Sequence, residues 1–392
     1  MDPHSEYCVK QLLNNGYDAF YAFETARELL LHKEPDNTKI LTNADLSRLA
    51  SLFPDILFRK RQSEHAYLSI NGRGVRFYVS HALPYGIKGA SNRMEIKKRA
   101  LTSATFYTPF LINGFFYDVE DRIFYDPLDA YLLLKSGVIK TNRSPSKAFE
   151  SFPLLALKAA KAISETGFTI DEELYTFLKV KAPLTGYVKM SEAIAQDFID
   201  ICSSRGAYRT LGLLDDWRVL DIIFPELTQL KEIDQDKEHH PEGNVFFHTL
   251  HCLKCVKKPN KNLMMAILLH DAGKALTKEN GKSPSPFPEH SSASKLIARR
   301  VLNRFFFSDK DMDEVLFLVR NHMILGSVDR LSGGRLKKLF GSPYIQNLLE
   351  LYRADIESGY HPSDKYYNVA RKYREFQRKQ KFISQGTYVK YN

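Results

Sequence analysis

His239-His240-Pro241-Glu242-Gly243-Asn244-Val245-Phe246-Phe247-His248-Thr249-Leu250 opens the stretch on which the reading of this chain turns, and Leu268-Leu269-His270-Asp271-Ala272-Gly273-Lys274 closes it about one helix later. Seven of the twelve histidines lie between positions 239 and 322, so they are concentrated where a site would be. Imidazole nitrogen and carboxylate oxygen suit divalent transition metals and Mg²⁺-like ions. A histidine followed by an adjacent His-Asp pair is a metal-ligand layout. The pair ends an apolar run, so two side chains from one helical turn can reach one or two ions. Water held by such an ion is acid enough to attack phosphorus at neutral pH.

At 392 residues the chain has room for two or three domains, and 44% hydrophobic residues let it bury sizeable cores. The formal charge of +10 favours polyanionic partners, nucleic acid first. The charge is clustered. Positions 58–100 carry ten Lys or Arg against two acids, and positions 365–390 carry eight against one, interleaved with Tyr366, Tyr367, Tyr373 and Phe376. Four cysteines, Cys8, Cys202, Cys252 and Cys255, are too few for a disulfide framework and point to a reducing compartment. Cys252 and Cys255 form a C-x-x-C with no second pair, which reads as one buried helical face. No apolar run has transmembrane length and no basic-then-apolar leader opens the chain, so a cytoplasmic protein with no membrane partner is expected.

Residues 1–32 read as helix, strand, helix. Thr38 to Thr42 reads as extended, and a helix capped by Asn43 or Asp45 follows. Alternation over 65–82 around Asn71-Gly72 predicts a hairpin, and strand-like pieces recur over 111–126 with a turn at Asp118 to Asp121. From Ser144 the periodicity becomes helical: Phe152 to Ile163, Ile170 to Val180, Met190 to Cys202, Ala207 to Ile223, and onward to about 380.

This series resembles the bacterial CCA-adding enzyme and poly(A) polymerase family that carries a C-terminal HD domain. The resemblance covers roughly residues 10–375. It is strongest in Leu211-Gly-Leu-Leu, Ile223-Phe224-Pro225-Glu226-Leu, Asp234-Gln235-Asp, His240 to Leu250 and His270 to Lys274. It is weaker, but in register, at Asn15 to Phe20, Ala26 to Leu31, Glu34-Pro35 and Thr42. The resemblance implies an α+β fold: a mixed α/β nucleotidyltransferase-like head (1–143), an all-α neck of the RNA-binding kind (144–230), an all-α HD domain (231–375) and a basic tail (376–392). The departures fall on charged residues. The family's Asp-x-Asp pair, which holds two Mg²⁺ ions for nucleotide transfer, falls at Asn37-Thr38-Lys39, with Asp36 one residue before it. Its phosphate-approaching Gly-Gly falls near Phe23-Glu24. Its Arg-Arg-Asp falls at Tyr107-Thr108-Pro109, and its Glu-Asp-Pro-Leu-Arg at Ser151 to Leu155. A lysine in place of a carboxylate repels cations, so the head is expected to have lost transfer.

Carried onto this sequence, the HD signature names His248, His270, Asp271 and Asp355 as metal ligands, with Gly273 and Lys274 completing His-Asp-x-Gly-Lys. His290 and His322 resemble the added ligands of the two-metal branch. The implied cofactor is a pair of divalent ions, with Mn, Fe, Ni, Co and Mg all compatible. Asp271 is expected to bridge the ions or orient water, and Lys274, Arg320 and Arg353 to offset substrate charge. His239 and His240 are candidates to line the site, and the loop 275–289 to cover it. The expected function is a metal-dependent HD phosphohydrolase acting on nucleotides or RNA ends, with RNA of the tRNA kind or a nucleotide as partner. The alternatives are a working tRNA nucleotidyltransferase with atypical carboxylates and a non-enzymatic RNA-binding protein.

Overall fold

The computed structural model describes residues 2–35, 37–58, 65–70, 73–85, 91–185, 189–234, 243–277, 289–359 and 363–386. Asp36, His239, His240 and most of the expected covering loop, 278–288, lie outside these residues. The chain forms two compact units: Met1–Leu155 with Phe168–Phe177, and Ala156–Gly167 with Leu178–Asn392.

The first unit carries α1 (Pro3–Asn14), β1 (Ala19–Ala22), α2 (Glu24–Leu30), β2 (Thr38–Thr42), α3 (Leu46–Leu52), β3 (Leu57–Phe58), β4 (His65–Ile70), β5 (Arg73–Val79), α4 (Arg93–Ala104), β6 (Phe116–Asp118), β7 (Ile123–Tyr125), α5 (Tyr131–Ser136), β8 (Val138–Ile139), α6 (Pro145–Ser151) and, after a helix, β9 (Thr169–Ile170). Seven strands make one sheet in the order β3-β4-β5-β2-β1-β6-β7. Only the β2–β5 pairing is parallel within it. Period-two alternation explains why its central strands are apolar on both faces. Ala19, Tyr21, Ile40, Phe77 and Val79 join Val9 and Leu12 of α1 and Leu49 of α3. Phe20, Ala22, Leu41, Tyr78 and Phe116 join Leu101 and Ala104 of α4 on the other face. Asp45 caps α3 as expected, its carboxylate accepting from Arg48 N at 2.8 Å. β4 and β5 pair antiparallel with Ile70 opposite Arg73, as the expected hairpin requires, while Asn71 and Gly72 lie outside the described residues.

The following helices are α7 (Leu155–Thr166), α8 (Glu172–Lys181), α9 (Glu192–Cys202), α10 (Ala207–Asp216), α11 (Leu220–Ile223), α12 (Pro225–Thr228), α13 (Val245–Cys255), α14 (Lys261–Leu269), α15 (Lys274–Thr277), α16 (His290–Arg304), α17 (Asp309–Asn321), α18 (Gly333–Phe340), α19 (Ile345–Ser358) and α20 (Asp364–Gly386). The single helix expected over 207–223 is two, because Arg218 adopts a left-handed turn (φ 56°) beside the fully buried Trp217. The basic segment expected as a separate tail from 376 continues α20 to Gly386. α14 is the axis of the second unit. Every residue from Leu263 to Leu269 is buried, and α9, α13, α16, α17 and α19 pack around it. A helix apolar all round must be enclosed in this way, and each buried Leu, Ile or Met there contributes about 1.5–3 kcal/mol. Asn260 starts α14 by accepting from Leu263 N at 3.0 Å. Among the described residues no helix is long and apolar enough to cross a membrane.

The first unit's β6–β7 turn is held by a buried ion cluster. Lys97 of α4 donates to Asp118 Oδ2 at 2.5 Å and to Asp121 Oδ2 at 2.8 Å, and its ammonium lies 5.5 Å from the Phe20 ring centre. Lys97→Met strands the buried Asp118 carboxylate, and denaturant unfolding should record a loss of about 3–5 kcal/mol. A loss under about 1 kcal/mol would mean the cluster is not what secures this turn.

Candidate metal centre

Two helices of the second unit end on histidines that make the same local bond. His270 follows α14 and its Nδ1 donates to Ile267 O at 2.7 Å; His322 follows α17 and its Nδ1 donates to Val319 O at 2.8 Å. A carbonyl only accepts, so Nδ1 carries the proton in both rings and Nε2 is a bare lone pair in the neutral form. Both helices also direct a C-terminus, the negative end of the helix dipole, at the same place, which favours a cation there. His270 Nε2 is buried and makes no hydrogen bond, although Asp271 Oδ2 lies 3.3 Å away.

His248 enters from α13. Its Nε2 is 3.1 Å from Asp355 Oδ1 of α19 and 4.0 Å from Asp271 Oδ2, and its Nδ1 is 3.4 Å from Ser358 Oγ. The Ser358 hydroxyl donates its one proton to Asp355 O at 2.8 Å, so it accepts from His248 Nδ1. That leaves the Nε2 lone pair facing a carboxylate oxygen, an arrangement that is favourable only with a proton or a cation between them. The same holds across the site, where His290 Nε2, at the start of α16, is 3.2 Å from the bare His322 Nε2.

Asp271 stands between these groups. Its Oδ2 faces His270, His248 and the Lys274 ammonium at 2.7 Å, while its Oδ1 faces His290 at 3.4 Å and His322 at 3.6 Å. Ligand atoms of His248, Cys252, His270 and Asp355 lie within 4.8 Å of one another, and those of Asp271, His290 and His322 do likewise. Burial raises the Asp271 carboxyl, but its polar surroundings, with His270 and the Lys274 ammonium foremost, outweigh it and hold the group well below the usual carboxylate range. Burial raises Asp355 too, and the hydrogen bond and charge of His248 reverse the shift. Burial lowers His322 to about 4, with repulsion from His270 adding to it, so its imidazole is neutral at pH 7. Burial pushes the Cys252 thiol up. Two carboxylates held below their usual range, beside the neutral His322 imidazole and the ring nitrogens of His248, His270 and His290, are a donor set that fits divalent cations.

All six expected ligands, His248, His270, Asp271, His290, His322 and Asp355, therefore meet in one place. Lys274 is beside them, and Arg320 is at the rim, where it donates to Ser291 Oγ at 2.9 Å next to His290. Arg353 departs from the expectation. Its guanidinium is engaged by Glu350 and Glu357 on its own helix and by Cys255 O, which ties α19 to α13. Cys252 is buried, as the packed-face reading expects, and its Sγ also joins the cluster of His248, His270 and Asp355, which that reading did not anticipate. The i, i+4 spacing from His248 was the available signal. The sequence reading also left unexplained why Gly273 is needed. A Cβ there would lie 2.2 Å from His290 O and 2.4 Å from Ser294 N, so only glycine lets the start of α16 close on the His-Asp turn. Gly273 N donates to Ser294 Oγ at 2.8 Å and fixes that approach.

In the first unit, the place of the expected carboxylate pair is occupied by an ion pair. Lys39 of β2 donates to Glu24 of α2, whose other oxygen accepts from Asn113 at 3.0 Å, and Asn113 in turn accepts from Arg27 at 2.7 Å. Burial would raise the Glu24 carboxyl, but Lys39 and Arg27 bring it down to about 2. Phe23, where the family has glycine, keeps a left-handed backbone (φ 59°). This is a conformation costly for a bulky residue. Its buried ring packs edge-on against Tyr78 and Phe116 at 4.9 and 5.6 Å.

Residues 245–358 match the HD domain family. A multifunctional CCA protein of Neisseria gonorrhoeae is 25% identical over 285 residues, covering 71% of this chain and 65% of that protein, so the match spans just under two thirds of its relative's length. The fold is similar to the CCA-adding enzyme of Bacillus stearothermophilus solved with CTP (TM-score 0.63, 16% identity, 96% of this chain and 83% of that one). It is also similar to a tRNA nucleotidyltransferase solved with a primer tRNA and an ATP analogue (TM-score 0.56, 16% identity, 96% and 99%).

Gly273→Ala should push α16 and His290 away from Asp271. Metal analysis is expected to show less bound metal than wild type with the helical circular dichroism spectrum retained; an unchanged metal content would show that the close approach is not needed. The metal-free protein should also lose stability as pH falls. An unfolded histidine titrates near 6.5, and folded His322 at about 4. The folded state thus binds fewer protons, and stability present above about pH 6.5 declines towards pH 4, by about 3 kcal/mol from this group. Urea unfolding across that window should show a shallower slope for His322→Asn; equal slopes would place the acid sensitivity elsewhere.

Proposed function

We propose that this chain, of the CCA-adding enzyme and poly(A) polymerase family, is a metal-dependent phosphohydrolase that works through its HD domain (231–375) on phosphate esters of nucleotides or RNA ends. The observation that carries the reading is Asp271, whose two oxygens face two separate groups of imidazole nitrogens. His248, His270 and Asp355 would hold one divalent ion, His290 and His322 a second, and Asp271 would be shared. Bound ions supply positive charge for phosphoryl oxygens and an acidified water. The protein supplies the rest. The carbonyls of Ile267 and Val319 fix two ring tautomers, and buried walls keep the charges in a low-dielectric setting where they act strongly. The Lys274 ammonium, 2.7 Å from Asp271 Oδ2, would neutralise a substrate phosphate as a point charge.

Nucleotide transfer is the second reading, favoured by the names of the relatives and by a fold shared along nearly the whole chain. Against it stand the Lys39–Glu24 pair and the filled, glycine-free turn at Phe23. Two-metal transfer needs clustered carboxylates, and among the described residues the Glu24 carboxylate there is already paired with Lys39. The head (1–143) and neck (144–230) would then serve RNA binding, together with the basic face of α20, where Arg371, Lys372, Arg374, Arg378 and Lys379 fall on one exposed helix.

A phosphomonoester and phosphodiesterase substrate panel run with Mn²⁺, Ni²⁺, Co²⁺, Fe²⁺ and Mg²⁺ tests the first reading. His270→Ala and Asp271→Ala are each expected to lose bound metal and more than about 100-fold in turnover, whereas Lys274→Ala should keep its metal and raise KM. A folded protein that stays metal-free and hydrolyses nothing would overturn the assignment and favour a pure RNA binder. Incorporation of labelled CMP or AMP into tRNA lacking its 3′ end is expected to be nil; incorporation lost on Glu24→Ala or Asp36→Ala would establish the second reading instead. Binding of tRNA should weaken steeply with salt, since neutralised phosphates release counterions.

A further inference from the structure

Cys252 lies one helical turn beyond His248 on α13, so both side chains leave the helix on the same face. Its Sγ is 3.5 Å from His248 Nε2, and it belongs to the cluster of ligand atoms from His248, His270 and Asp355 that all lie within 4.8 Å of one another. A tetrahedral ion with bonds of about 2.0–2.3 Å to nitrogen, oxygen and sulfur sets neighbouring ligand atoms roughly 3.3–3.8 Å apart. The Nε2–Sγ distance is already in that range, and the Nε2–Oδ1 distance of 3.1 Å is just short of it. Independently of the cysteine, His270 Nε2 is buried to 2% exposure and has no hydrogen-bond partner, so this same cluster contains a nitrogen in want of a fourth-party electrophile.

We infer that Cys252 is the fourth ligand of the ion held by His248, His270 and Asp355, making that position a mixed nitrogen, oxygen and sulfur site. The inference rests on the reading of this centre as metal-binding and adds what that reading leaves open, namely which metal. A thiolate is a soft donor and selects Zn²⁺, Co²⁺ or Fe²⁺ over Mg²⁺ and Mn²⁺, while the His290–His322 position has no sulfur and lacks this preference. The thiol proton passes to solvent as the S–metal bond forms. In the metal-free protein Sγ rests 3.0 Å from Ser358 Oγ, which accepts from it, having spent its own proton on Asp355 O. A merely packed cysteine would keep that contact with metal present.

The test uses the full chain loaded with Co²⁺. Wild type should show a thiolate-to-cobalt charge-transfer band in the near ultraviolet. Cys252→Ser should lose the band with its circular dichroism spectrum unchanged, whether it keeps the ion or binds one fewer, and Cys255→Ser should keep it. The preference for Zn²⁺ over Mn²⁺ in competition should fall by about 10–100-fold in Cys252→Ser. Stoichiometric cobalt without a band in wild type, or a band that survives Cys252→Ser, would overturn the cysteine assignment and leave the metal centre standing. No cobalt bound by folded wild type would overturn both.

Discussion

Lone pairs that face one another across a buried space are the constraint from which the rest of the second unit follows. Four imidazoles and two carboxylates converge there, and three of the four rings turn Nδ1 to a fixed acceptor, Ile267 O, Val319 O or Ser358 Oγ. Such an assembly is stable only if cations or shared protons occupy the gaps, because unpaired buried acceptors are costly. Among the described residues it is Asp271 that presents one oxygen to each group of nitrogens, and being on the same turn as His270 it is positioned by the same helix end.

That helix end is positioned by packing. α14 is apolar on every side and enclosed by five neighbours, so its C-terminus cannot shift without disturbing all of them. The other four helices that carry the site, α13, α16, α17 and α19, are all among those neighbours, and α16 is drawn in further by the backbone contact at Gly273. The Arg353 network between α19 and α13 adds a second tie, so a side chain that reads from sequence as a substrate contact keeps His248 and Asp355 in register.

The first unit places its charge by the same rule of enclosure. A seven-stranded sheet is buried on both faces, and beside it Lys39 stands where the resemblance puts a carboxylate, paired with Glu24, while the Phe23 ring fills the turn before α2. The apolar faces are legible from strand periodicity; the ion pair is made by two residues fifteen positions apart that only the folded sheet and helix bring together.

Periodicity made most elements legible: β1, β2, the capped start of α3, the 65–79 hairpin and the helical character beyond Ser144 all follow from local spacing and cap residues. Of the six candidate ligands, His248, His270 and Asp271 were legible in a local pattern, the His-Asp turn and its spacing to His248, and Asp355, His290 and His322 were named only through the resemblance it carries. Where each ligand belongs was not legible. The division into two groups sharing Asp271, the orphaned His270 Nε2, and the presence of Cys252 with Ser358 depend on α13 and α19 lying side by side, more than a hundred residues apart in sequence. The tie from Arg353 to α13 and the need for glycine at 273 have the same origin. They are set by what the neighbouring helix places within a few ångströms, and no pattern internal to one helix contains that information.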